Sequence, residues 1–227
     1  KSCSSLLQGA GRPCGRLACG AATSLLLSRG RAVRLRWGST GDPSAPPVLL
    51  PDVVVTPTRV VQVAAGEAHA LLLTEGPEPR VYSVGNNEYG QLGLGDAALR
   101  RDSGQGLEVT GLPPSTQISS LACGGHVSMA LSRRGEVWAW GRNEESGVLG
   151  QGGLPVACVP SPVPVVGLRR KVRAAQVATT GWTALCISHL GAVYSWGGGL
   201  CGAHGHGHQE DEPSAKAVRA LEGVAVA

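Results

Sequence analysis

The chain has 227 residues and a net charge of +4, and 42% of its residues are hydrophobic although only 4% are aromatic, with no Phe. Its seven cysteines include no Cys-x-x-Cys pair, which argues against a disulfide framework or a zinc ribbon. No stretch approaches about 18 uninterrupted apolar residues, so no membrane-spanning helix is expected. The weakly basic charge specifies no partner, and the apolar residues available for a core are mainly Val, Leu, Ala and a few Trp.

Residues 1–58 are interpreted as a degenerate first repeat followed by a Pro-rich connection. Residues 17–28 align without a gap with residues 63–74, and the run that ends in Arg36-Trp37-Gly38 takes the place of a later strand. This unit is short, because Gly20 and Gly66 are 46 residues apart whereas Gly66 and Gly124 are 58 residues apart. The Pro-rich connection therefore predicts a shortened edge or a flexible loop.

A second interpretation of the beginning of the chain is an N-terminal targeting segment over residues 1–41. These residues contain seven Lys or Arg and no Asp or Glu, which is the composition of an organellar transit peptide. The same composition makes a mitochondrial location the main prediction. The nucleus or cytoplasm is the alternative.

Three further repeats follow, over residues 59–115, 116–170 and 171–227, and the last of these includes the start of another unit. Each contains a short apolar strand and then a Val-aromatic strand that closes on a glycine. The closing glycines lie 56 residues apart in both intervals, which identifies an internal repeat. A glycine-rich turn follows each of them. The predicted structural glycines are Gly66, Gly85, Gly90, Gly93, Gly124, Gly141, Gly197, Gly202 and Gly205.

The pattern within each repeat favours strands over helices. Short runs rich in Val, Leu and Trp are separated by Gly and Pro, and helical spacing over ten or more residues is hard to find. Several small antiparallel sheets at one period are typical of a β-propeller. The sequence thus predicts an all-β fold.

The repeat motifs resemble the regulator of chromosome condensation family of propellers. The resemblance lies in residues 64–74 and 81–95 and in the matching stretches after Leu121 and Val177. It implies a propeller of about four recognisable blades. Since the family typically closes a ring of seven, a partial or open ring is expected, and a smaller closed ring or a piece of a longer protein are the alternatives. An open ring implies that a partner covers its exposed end strands.

Signatures of hydrolases, kinases and dehydrogenases are absent from the sequence, so neither enzymatic activity nor a cofactor is predicted. The resemblance implies a binding or structural module, a subunit or assembly factor of a larger protein or ribonucleoprotein complex. Protein partners are predicted, and contact with RNA is left open. The alternative is a guanine-nucleotide exchange factor for a small GTPase, as in the founding member of the family.

The predicted contact surface consists of the loops after the Val-aromatic strands, because connections at the edge of a rigid stack carry most binding residues. No catalytic residue is predicted. The predicted partner-binding residues are Asn86, Asn87, Glu88, Arg142, Asn143 and Glu144.

Three histidines, His204, His206 and His208, alternate with small residues and are weak candidates for zinc or copper ligands. The main prediction is that they bind no metal, because two of them take the place of leucines in the second repeat's turn. A single Gly-Trp pair at Gly181 resembles the motif of the family's plant ultraviolet photoreceptors. One copy cannot build a tryptophan cluster, so photoreception is not predicted.

Several other side chains are predicted to have structural roles. His69 is expected to donate or accept a hydrogen bond with a neighbouring strand. Two cysteines that precede repeat glycines, Cys19 and Cys123, are expected to be packing thiols. The tryptophans of the Val-aromatic strands are expected in the core. They are Trp138, Trp140 and Trp196.

Overall fold

The computed structural model describes residues 16–20, 24–38, 48–98, 105–143, 146–153, 156–168 and 172–224. In these residues sixteen strands form four antiparallel sheets, each made of four strands consecutive in sequence. This confirms the all-β prediction and the prediction of a propeller with four recognisable blades. No helix in the described ranges is long and apolar enough to cross a membrane.

The blades follow one another along the chain. Blade 1 comprises β1 (Arg16–Cys19), β2 (Ser24–Ser28), β3 (Arg31–Gly38) and β4 (Val48–Val54). Blade 2 comprises β5 (Val60–Ala65), β6 (His69–Thr74), β7 (Val81–Gly85) and β8 (Leu107–Glu108). Blade 3 comprises β9 (Ile118–Gly124), β10 (Val127–Ser132), β11 (Val137–Arg142) and β12 (Cys158–Pro164). Blade 4 comprises β13 (Ala174–Thr179), β14 (Thr183–Ser188), β15 (Val193–Gly197) and β16 (Glu212–Ala217).

The second strand of each blade shows why the sheets stack. Strand β6 is buried along its whole length, and successive side chains of a strand point to opposite faces of the sheet. Ala70 and Leu72 join the apolar cluster shared with blade 1, whereas Leu71 and Leu73 join the cluster shared with blade 3. Each inner blade is therefore apolar on both faces.

Three apolar clusters join blade 1 to 2, blade 2 to 3 and blade 3 to 4. Trp140 and Trp196 are fully buried in the last two, as predicted. Their indole N–H groups donate across the interface to the carbonyls of Gln91 (2.9 Å) and Val148 (2.8 Å). Trp138 is half-buried against the blade 2–3 cluster. Among the described residues no such cluster joins blade 4 to blade 1, so the array has two end faces.

The Pro-rich connection of blade 1 contains a full strand, which corrects the expectation of a shortened edge or a loop there. Strand β4 pairs with β3 over seven residues, from Ala32 opposite Val54 to Gly38 opposite Val48. Pro51 has no N–H to donate. Because β4 is the edge strand of its sheet, Pro51 can be accommodated without loss of a central ladder.

The two cysteines predicted to pack differ in their surroundings. Cys123 is half-buried against the blade 2–3 cluster, and desolvation raises the pKa of its thiol to about 12. Cys19 is exposed, so the prediction is wrong for this residue. In blade 1, Cys19 occupies the position that Cys123 has in blade 3. The described part of the chain contains no blade before blade 1, so no sheet covers Cys19.

Candidate functional site

The loops between the third and fourth strands of blades 2, 3 and 4 lie on one edge of the array, together with the turns between the first and second strands. We call this edge the long-loop rim. It begins at the closing glycines, since Gly85 is paired with His69 at the start of β6 and Gly197 with Thr183 at the start of β14. The predicted contact residues that the structure describes belong to this rim.

Glycine pairs give the three long loops the same initial turn. The φ angles are +72° and +72° at Gly90 and Gly93, +66° and +66° at Gly147 and Gly150, and +70° and +75° at Gly202 and Gly205. Side chains with a Cβ rarely adopt this left-handed region. All three loops therefore contain the same turn, although the third repeat has one more residue than the others between its closing glycine and the first glycine of the turn.

Asn87 and Asn143 are buried in these loops, which corrects their prediction as partner contacts. The Asn87 carboxamide donates to the carbonyls of Asp96 (3.0 Å) and Ala98 (3.2 Å) and accepts from the Leu92 N–H (3.1 Å). Asn143 donates to Val156 O (3.1 Å) and accepts from a leucine N–H in the same way. Both side chains hold the backbone of their own loop.

Replacing Asn87 with Ala should destabilise the protein by about 2 kcal/mol, because the buried Leu92 N–H loses its acceptor and two carbonyls lose a donor. Urea unfolding would measure this. Glu88→Ala is the matched control, since Glu88 is the exposed neighbour and should change the free energy of unfolding by less than about 0.5 kcal/mol. Equal stability of the Asn87→Ala variant and wild type would contradict the framework role.

Four side chains form a surface cluster where blades 2 and 3 meet. The Arg142 guanidinium lies 4.6 Å from the centre of the Tyr89 ring, and the Tyr89 and His126 ring centres are 4.8 Å apart. His126 Nε2 is 3.6 Å from a Glu67 carboxylate oxygen. We call Glu67, Tyr89, His126 and Arg142 the rim cluster. It supplies a cation, a carboxylate, an imidazole and an aromatic face, groups that suit contact with a protein surface.

Sequence reasoning found only Arg142 of this cluster. Glu67 and His126 were missed because they lie in turns between first and second strands. Tyr89 lies in a long loop, but only its contact with His126 of the next blade places it in the cluster. Glu88 is exposed beside the cluster, and the Asn86 side chain accepts from the Glu88 N–H (2.6 Å). Glu144 lies outside the described residues.

The three candidate metal ligands are close together but do not converge. His204 is buried, and its Nε2 lies 2.7 Å from Glu210 O. His206 Nε2 is 3.0 Å from the Ser195 hydroxyl, and His208 Nε2 is 3.3 Å from a Glu212 carboxylate oxygen. Desolvation lowers the pKa of His206. Over the described ranges no three His, Cys, Asp or Glu side chains are placed to hold one ion.

Comparison with known proteins supports the repeat assignment. The model for the regulator of chromosome condensation (RCC1) repeat matches residues 79–131 and 134–187, and a second model with the same description matches residues 60–91 and 118–146.

Two curated relatives and one solved structure are similar to much of the chain. The ultraviolet-B receptor UVR8 of Arabidopsis thaliana is 33% identical over 177 residues, 77% of this chain and 38% of that protein. The mitochondrial RCC1 domain-containing protein RUG3 of the same plant is 34% identical over 152 residues, 66% of this chain and 32% of that protein. The structure of Prp20p from Saccharomyces cerevisiae superposes with a TM-score of 0.70 at 24% identity, over 90% of this chain and 50% of that one. The chain thus spans half or less of each.

Proposed function

The chain belongs to the regulator of chromosome condensation family, and on that premise we propose that it is a non-enzymatic binding and structural module of a larger protein assembly. Its four blades bind by shape, because stacked sheets hold the rim loops and the end faces in fixed positions. Partner contacts are spread over these surfaces and do not depend on one catalytic pocket. Fold alone does not fix the activity, so the proposal depends on the surfaces of this chain.

The observation that carries the proposal is the uncovered apolar face of blade 4. Leu71 and Met129, at the middle of the second strands of blades 2 and 3, are both fully buried by the following blade. Leu185 has the same register in blade 4 and is 41% exposed. Ile187 on the same face is only half-buried. Nothing in the described part of the chain covers this face, and exposed apolar faces are typical of surfaces that pack against another sheet.

The other interfaces indicate what covers such a face. The blade 2–3 and blade 3–4 interfaces are each closed by the apolar side of the following sheet, whose Trp indole donates to a carbonyl in the preceding long loop. The corresponding residue in the long loop of blade 4 is Ala203, because it takes the repeat position of Gln91 and Val148. We therefore propose that a β-sheet surface with an aromatic N–H donor covers Leu185.

Replacing Leu185 with Asp should leave the isolated chain folded but release it from its assembly. The side chain is already partly in water, so the thermal midpoint should fall by no more than a few degrees. A desolvated carboxylate in the covered face would weaken the complex at least tenfold. The native mass of the protein in extracts of its own cells, measured by size-exclusion chromatography, checks this.

Leu190→Asp is the matched control for the Leu185 variant. Leu190 lies in the hairpin turn of blade 4 and is 95% exposed, so this variant should keep the large native mass. If the Leu185→Asp protein remains in the assembly, the blade 4 face is not the docking surface.

A mitochondrial location is part of the proposal. It is supported by the mitochondrial relative RUG3 and by the acid-free, Arg-rich composition of residues 1–41, which also contain strands β1, β2 and β3 of blade 1. Imaging of the tagged protein against a mitochondrial marker tests it, and nuclear or cytoplasmic signal would favour the alternative. Crosslinking to RNA in the same cells tests whether the assembly is a ribonucleoprotein.

Guanine-nucleotide exchange on a small GTPase is the alternative function. The Prp20p structure is described together with binding to Gsp1p and histones, and this chain corresponds to half of that propeller. Release of fluorescent GDP from a panel of small GTPases separates the two functions. No acceleration by the purified chain supports the binding module, and acceleration on any member would replace it.

A further inference from the structure

The edge opposite the long-loop rim carries a groove that contains none of the predicted site residues. It lies beside the hairpin turn of blade 3, where the chain passes from blade 3 to blade 4. Its apolar lining includes Trp138, Leu168 and Val172, with Pro113 at the end nearest blade 2. We call it the hairpin groove.

Unpaired guanidinium groups surround this apolar lining. Arg134 and Arg173 line the groove, and Arg133 lines an adjoining hollow that shares Trp138. Arg173 donates through Nε to the Arg134 carbonyl (3.2 Å), and within the described ranges none of the three forms an ion pair. The one lining acid is Glu136, whose carboxylate accepts from the Ser132 hydroxyl (3.2 Å).

Blade 2 shows that the same edge can be neutralised. There Arg80 pairs with Glu78 and Glu108, and Arg59 lies 3.5 Å from Glu75. In blade 3 no acidic residue occupies the positions that Glu75, Glu78 and Glu108 have in blade 2. In the sequence, the connection between Leu168 and Val172 is the basic run Arg169-Arg170-Lys171.

Trp138 supplies an independent observation. Its indole N–H is buried and has no hydrogen-bond partner in the described part of the chain, whereas the indoles of Trp140 and Trp196 each donate to a carbonyl. A buried N–H without an acceptor destabilises the folded state. An acceptor supplied by a bound chain would satisfy this N–H after a rotation of the Trp138 side chain that exposes it to the groove.

We propose that the hairpin groove binds an acidic peptide segment of a partner protein. Carboxylates of the segment pair with Arg133, Arg134 and Arg173, and an apolar side chain between them packs on Trp138 and Leu168. The apolar lining favours a peptide with an apolar side chain over a nucleic acid backbone. This inference concerns a different surface from the blade 4 face.

Fluorescence anisotropy with labelled peptides tests the proposal on the intact wild-type chain. The probe is a ten-residue peptide of Asp and Glu with one central Leu. We expect it to bind at least tenfold more tightly than a peptide with Ser in place of Leu, or one with Asn and Gln in place of the acids. Equal affinity of the three peptides, or tighter binding of a ten-residue oligouridine, would overturn the proposal.

Charge reversal locates the site. Arg134→Glu combined with Arg173→Glu should weaken the acidic peptide at least tenfold, while Arg31→Glu, an exposed change in the hairpin of blade 1, should not. Leu185→Asp should also leave peptide binding unchanged, so failure here is distinguishable from failure of the proposed function. Wild-type affinity of the double variant, or equal weakening by Arg31→Glu, would place the peptide elsewhere.

Discussion

Replacing Gly141 with Ala should remove most of the stability of the protein. Gly141 has φ +105°, and a Cβ there would lie 2.2 Å from the His126 carbonyl oxygen. That oxygen accepts the Arg142 N–H (3.1 Å), so it cannot move without breaking the start of the long loop. Strain and clash together should cost about 4 kcal/mol or more, measured by urea unfolding.

Gly207→Ala is the control that separates the clash from the strain. Gly207 has φ +83°, and nothing lies within 4 Å of the place where its Cβ would be. This variant should lose only about 1–2 kcal/mol. Similar losses in the two variants would show that the contact with the His126 carbonyl does not determine the requirement for glycine.

The closing glycines explain why the fold could be predicted from the sequence. Gly85 and Gly197 also have positive φ, and a Cβ at either would lie 2.4 Å from a carbonyl of the preceding turn. The requirement is local and recurs in blades 2, 3 and 4, so it appears in the sequence as glycines at a constant spacing. The constant spacing of these glycines indicates that each repeat forms one sheet. The structure confirms this, because it contains four sheets.

The candidate surfaces could be predicted only in part, because they depend on contacts between repeats. Asn87 looks like an exposed turn residue in its local sequence, yet its partners Asp96 and Ala98 lie nine and eleven residues further on. The rim cluster joins Glu67 to His126 across two blades. The hairpin groove likewise combines residues from separate turns, and no short motif marks it.

One buried pair of polar side chains shows that the interfaces between blades can differ at equivalent positions of the repeat. His69 Nε2 lies 2.9 Å from the Ser128 hydroxyl in the next blade, which confirms the predicted hydrogen bond to a neighbouring strand. Ser128 donates its own proton to Gln91 O (2.7 Å), so it accepts from the histidine N–H. At the next interface Val127 and Ala184 occupy the same two positions and are apolar.

This pairing keeps His69 neutral. Its Nδ1 is buried without a hydrogen-bond partner in the described residues, so a proton added there would be an uncompensated charge. Burial, with a smaller contribution from the nearby His126, lowers the pKa of His69 to about 3. The unfolded chain therefore takes up a proton near pH 6.5 that the folded chain does not.

The stability of the protein should therefore fall in acid through His69. The contribution is complete above pH 6.5 and is lost as the pH falls toward 3, by roughly 2 kcal/mol between pH 7 and 5. A variant with His69→Val and Ser128→Ala copies the apolar pair of the next interface and should be folded, because both polar partners are removed together. Urea unfolding at successive pH values should show the wild type losing roughly 2 kcal/mol relative to this variant from pH 7 to 5. Parallel curves would mean that the folded protein takes up a proton at His69 as readily as the unfolded chain does, so burial would not lower its pKa.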